Sequence, residues 1–121
     1  MTKGTKMIRV TIYKIKGHEY AGFDVEGHSG FAEEGQDIVC AAVSILVINT
    51  INSIERLTED KVSLVQCEKK GLINYRFETY ASGDAHLLIR SMILGLESII
   101  DEMEEQTGEL NSWIELNFKE V

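Results

Sequence analysis

Two residues able to do covalent chemistry stand close together in the stretch Gly27 to Ser44, GHSGFAEEGQDIVCAAVS. Cys40 falls at the start of a long apolar segment, and His28 falls in a glycine-bounded loop just before it. A thiolate is the reactive form of cysteine, and the positive end of a helix lowers the cost of forming it. An imidazole titrates near neutrality, so it can take the thiol proton and return it to a leaving amine. Together they could act as nucleophile and base in acyl transfer. Each has a plainer reading. A cysteine in an apolar helix is more often packed and inert, and a loop histidine without a thiol beside it is more often simply solvated.

Their neighbours sharpen the picture. Asp37 suits a helix N-cap, which would make Cys40 the N3 residue, within the first turn. Asp37 could also orient the His28 imidazole as the third group of a triad, of which the cap is the simpler role. Ser44 lies one turn after Cys40 on the same helix face, so it either lines the same site or bonds back to a carbonyl. Ala41 and Ala42 are small enough to let another chain approach the sulfur. Of the remaining histidines, His18 sits in a turn, and His86 opens a second helix, where a capping or surface role suffices. Cys67 alternates with Val65 on a strand and reads as a packed residue.

The elements that must hold these residues follow from periodicity. Met7 to Lys16 and Tyr20 to Glu26 alternate apolar with polar residues around Gly17-His18, which predicts a hairpin. Gly27 to Gln36 is a loop holding Gly27, Gly30 and Gly35, a density suited to opening and closing, or else an ordinary long connection. Ile38 to about Leu57 is a helix apolar on most sides, and such a helix is expected to be buried on more than one. Val62 to Glu68 and Leu72 to Tyr80 form a second hairpin, turned by Lys69-Lys70-Gly71. Ser82-Gly83-Asp84 caps a second helix from Ala85 to about Gln106, which ends acidic and is stopped by Thr107-Gly108. Trp113 to Phe118 is a last strand. The class is α+β in the order β-β-α-β-β-α-β, with the two helices expected to be sandwiched between two small antiparallel sheets. Residues 1–6 read as a frayed start or an expression remnant, and 7–121 as one domain.

Composition excludes several functions. The 121 residues suit a single domain with a small core. A formal net charge of -8 and a pI near 4.8 argue against a phosphate-backbone binder and favour a basic partner. Two cysteines make no disulfide framework and show no zinc-ligand spacing. No metal or cofactor is expected. With no signal peptide in view, the expected compartment is the cytoplasm. The apolar run around Ile45 to Ile48 is broken by Ser44, Asn49, Thr50 and Asn52, and is expected to fall short of a membrane span.

At Gly27-His28, Phe31-Ala32-Glu33, Gly35 and Asp37-Ile38-Val39-Cys40-Ala41-Ala42-Val43-Ser44, the chain resembles the ribosomal-processing cysteine protease (Prp) family. The likeness extends over essentially everything from Met7. It implies a cytoplasmic bacterial cysteine endopeptidase that removes a short N-terminal extension from large-subunit ribosomal protein twenty-seven. It further implies Cys40 as nucleophile and His28 as proton donor and acceptor, with Gly27, Asp37 and Ser44 matching further motif positions. A homodimer and a mobile loop over the site, here Gly27 to Gln36, are implied as well. The implied partner is a basic ribosomal precursor, with no direct nucleic acid and no membrane. Two rivals remain: a non-catalytic ribosome-assembly module that holds a basic ribosomal protein, and another thiol hydrolase such as a thioesterase.

Overall fold

The structure is a computed structural model, and it describes residues 8–17, 19–27, 36–107 and 113–121, with only the backbone at 36, 37, 106 and 107. The expected frayed start lies outside the described residues, as does most of the expected loop between Gly27 and Gln36.

The alternating segments fold as strands: β1 (Ile8–Ile15), β2 (Glu19–Glu26), β3 (Val62–Cys67), β4 (Leu72–Phe77) and β5 (Ile114–Glu120). The segments with wide apolar faces fold as α1 (Gln36–Leu57) and α2 (Gly83–Thr107). The order is the expected β-β-α-β-β-α-β. Ser82 caps α2 as its position suggests, its Oγ accepting from the Ala85 N–H at 3.2 Å. Asp60 braces that cap from the α1–β3 connection, accepting from the Ser82 hydroxyl at 2.6 Å and from the Ser82 N–H at 2.8 Å.

The arrangement of the strands differs from expectation. All five join in one sheet of order β3-β4-β2-β1-β5, rather than two. The two hairpins meet through an antiparallel β2–β4 pairing, and β5 pairs parallel to β1. Period-two alternation shows which face of a strand is buried and says nothing about which strand lies beside it.

Alternation sorts the sheet into two faces. Ile8, Val10, Ile12, Phe23, Val25, Ile73, Tyr75, Phe77 and Ile114 belong to the buried core, which they share with both helices. α1 contributes Val39, Val43, Val47, Ile51 and Ile54, and α2 contributes Ala85, Ile89, Met92, Ile93 and Leu96. The opposite face is polar. There Asp24 accepts from the Tyr13 hydroxyl at 2.7 Å, from Asn74 Nδ2 at 2.7 Å and from Arg76 Nη1 at 2.8 Å.

One sheet leaves the helices with one sheet to pack on. The second apolar side of α1, expected to be buried, is therefore open in the protomer: Ile38 is 72% and Ile45 69% exposed. The same helix also corrects the membrane estimate. Ile38–Leu57 has a mean hydropathy of 1.8 and is long and apolar enough to span a bilayer by length and composition, because its scattered polar residues barely lower the average. In this fold its Val39-to-Ile54 stripe is a layer of the core.

Chain direction sets where chemistry can gather. β2 ends at Glu26, level with Arg9 near the start of β1 and with Leu72 at the start of β4. α1 hands over to β3 at the far end, where Val62 pairs with Phe77. Its 22 residues, rising about 1.5 Å each, are ample to run the length of the sheet back toward the Glu26 end.

Candidate active site

Cys40 lies near the N-terminus of α1. The helix begins at Gln36, one residue before Asp37, so Asp37 occupies the second helical position rather than the cap expected of it. Cys40 accordingly opens the second turn instead of standing at N3. The local sequence still favours a fixed thiol. Val39 and Val43, on either side of it, are buried in the core, and Cys40 itself is half-buried and packs against that core. Its backbone is therefore anchored while its side chain keeps some access to solvent. The two cysteines are not joined in a disulfide.

Ser44 is half-buried one turn further on. With Ile45, Ile48, Asn49 and Asn52 it lines an open depression of about 360 Å³ along the outward side of α1. The expected i, i+4 relation thus places Ser44 between the thiol's turn and a partly apolar surface.

Gly27 closes β2, and its conformation requires a glycine: φ is +84°, and its N–H donates to the Gly71 carbonyl at 3.0 Å. His28, the next residue, lies outside the described residues, as does His18. The structure therefore brings Cys40, Ser44 and the backbone of Asp37 onto one helix, with Gly27 at the sheet end from which the chain leads on to His28.

The remaining candidates play other parts. His86 stacks on Tyr20, ring centroids 4.6 Å apart, and so packs against the sheet. Cys67 is half-buried at the end of β3, opposite Leu72. Sequence reasoning did not single out Gly71. Its contribution to this region is a backbone carbonyl, and the one available signal was a glycine at a hairpin turn.

Known proteins place this arrangement. The profile of the family described as "Cysteine protease Prp" matches residues 7–108. The ribosomal processing cysteine protease Prp of Bacillus subtilis is 35% identical over 97 residues, covering 77% of this chain and 87% of that protein. Among solved structures, the ribosomal processing protease Prp of S. aureus in complex with a substrate peptide superposes with a TM-score of 0.79 at 27% identity, over 93% of this chain and 100% of that one. The same S. aureus protease with a covalently linked product peptide gives a TM-score of 0.75 at 28% identity, with the same coverage. Fold and relatives together define the class, an α+β cysteine-type endopeptidase. Within it, the chain belongs to the cysteine protease Prp family. That membership sets the enzyme reading above the non-catalytic module.

Proposed function

We propose that Cys40 is the nucleophile of this protease and His28 its proton donor and acceptor. The observation that carries the reading is the setting of Cys40: a thiol with solvent access, held by buried Val39 and Val43 near the positive end of a core helix. A covalently linked product peptide on the S. aureus relative supports covalent chemistry. His28 takes the thiol proton and leaves Cys40 as the thiolate. The thiolate attacks the scissile carbonyl, and the negative charge that develops on oxygen is favoured by the helix dipole. As the tetrahedral adduct collapses, the C–N bond breaks and His28 protonates the departing amine. Water, deprotonated by His28, then cleaves the thioester and restores the thiol.

The substrate in this reading is the N-terminal extension of large-subunit ribosomal protein twenty-seven. Support comes from the names of the relatives, which process ribosomal material, and from a net charge of -8 suited to a basic substrate. The reading places the enzyme in the cytoplasm, with no membrane or direct nucleic-acid partner. It also makes the protein a homodimer, a second copy covering the exposed Ile38 and Ile45 side of α1.

The test is cleavage of the extended precursor, followed by mass spectrometry of both fragments. Cys40→Ala and Cys40→Ser are expected to abolish it while leaving the fold intact. Cleavage by Cys40→Ala would overturn the assignment, and cleavage of a thioester in place of the precursor would turn the reading to a thioesterase.

A further inference from the structure

The β3–β4 turn reaches the residue that precedes His28. β2 leaves its ladder with β4 at the Glu26–Leu72 pair. One further bond forms beyond that pair, from the Gly27 N–H to the Gly71 carbonyl at 3.0 Å. Both residues have left-handed backbone, with φ of +84° at Gly27 and +60° at Gly71, a region that side chains other than those of Asn and Asp rarely enter. Gly71 is buried, and its own N–H donates to the Glu68 carbonyl at 3.1 Å, closing the turn. That turn stands on the Cys67–Leu72 pair of the β3–β4 ladder, so the acceptor carbonyl is held by two strands.

We propose that Gly71 is a positioning residue for the catalytic histidine: its carbonyl clasps the amide of Gly27, the residue bonded to His28. The clasp fixes Gly27, the neighbour of His28 in sequence, at the point where β2 leaves the sheet. Reacting groups must be placed closely for acyl transfer, and a misplacement of about 1 Å can cost a hundredfold in rate. The inference rests on the assignment of His28 as the partner of Cys40.

The experiment measures alkylation of Cys40 by iodoacetamide as a function of pH in a Cys67→Ser background, a readout independent of substrate. Four proteins are compared: the parent, His28→Ala, Gly71→Val and Gly71→Asn, each with a thermal melt to establish folding. Gly71→Val, unable to hold the left-handed backbone without strain, is expected to shift the alkylation midpoint toward that of His28→Ala. Gly71→Asn, which tolerates that backbone, is expected to restore the parent midpoint. A folded Gly71→Val with the parent's midpoint overturns the clasp, provided His28→Ala is displaced. If His28→Ala matches the parent, the histidine assignment fails first and takes the clasp with it. Should Gly71→Val not fold, amide exchange in the parent decides the matter. Protection of the Gly27 N–H comparable to that of Val25 supports the clasp, and exchange at the rate of an unstructured peptide overturns it.

Discussion

Arg76 and Tyr13 meet across a strand that separates them: the guanidinium carbon of Arg76 lies 4.4 Å from the centroid of the Tyr13 ring. The residue between them in the register is Gly22, opposite Tyr13 on one side and Arg76 on the other. The missing side chain at Gly22 lets the cation reach the ring. A Cβ there would overlap the Tyr75 carbonyl oxygen and stand 3.1 Å from Arg76 Cδ. Backbone atoms of a central strand cannot give way as a side-chain tip can. Gly22→Ala is therefore expected to destabilise the protein by about 3 kcal/mol or more, measured by urea denaturation. A loss below about 0.5 kcal/mol would show that the strands separate easily at this point.

Acid should weaken the fold through two carboxylates. Partial burial pushes the pKa of Asp24 up, but hydrogen bonds from Arg76, Asn74 and Tyr13 outweigh it and hold the group below its ordinary 3.8. Asp60 behaves alike: burial raises its pKa, and the bonds from Ser82 bring the net value below 3.8. A folded-state pKa below the unfolded one means that the stabilisation is complete above about pH 4 and fades as pH falls through the folded values. Urea midpoints are expected to drop between about pH 4 and pH 2, and Asp24→Asn should show a shallower drop. An equally steep drop in Asp24→Asn would place the acid sensitivity elsewhere.

Tyr75 carries a buried hydroxyl with no hydrogen-bond partner among the described residues. Burial, with Asp60 and Glu55 nearby, pushes its pKa up to about 12, so the group stays neutral in ordinary buffers. Its ring stacks on Phe23 at 4.9 Å and meets Phe77 edge-on at 5.6 Å. Tyr75→Phe keeps both ring contacts and removes the unmatched polar atom. Stability is expected to stay level or rise by about 1 kcal/mol, since an unsatisfied buried group costs on that order. A clear fall in the melting temperature would mean that the hydroxyl has a partner in solution.

The outward side of α1 bears on assembly. Ile45→Glu alters a side chain that is 69% exposed in the protomer, so the change should cost the protomer less than about 0.5 kcal/mol. If a second copy covers this side, the same charge sits in an apolar interface and disfavours association. Sedimentation is expected to show a dimer for the parent and a folded monomer for Ile45→Glu. A parent that sediments as a monomer rules out the interface.

Much of this fold could be read from the chain because its local signals agree. β-Branched alternation marks the strands, Ser82 stands where a helix cap is needed, and the long apolar segments are too long for strands. Less legible were the relations between distant segments. Nothing in Ile8–Ile15 says that Ile114–Glu120 will lie parallel beside it, and a helix apolar all round does not say what covers each side. Cys40 could be picked out as a candidate nucleophile because thiol chemistry needs a particular residue in a particular field. The start of α1 at Gln36 rather than after Asp37 moved that thiol by about half a turn. Gly71 was harder to see, since a carbonyl oxygen is common to every residue and only its position is special.

The parallel β1–β5 pair has a consequence for biosynthesis. Arg9 and Glu115, joined at 3.4 Å across it, are 106 residues apart in sequence. During translation β1 waits, one edge open, for a strand made 106 residues later. Ile114, fully buried in the common core, cannot take its place before then. Synthesis must therefore pass β5 before the core that Ile114 shares with Val39 and Val43, the neighbours of Cys40, is complete.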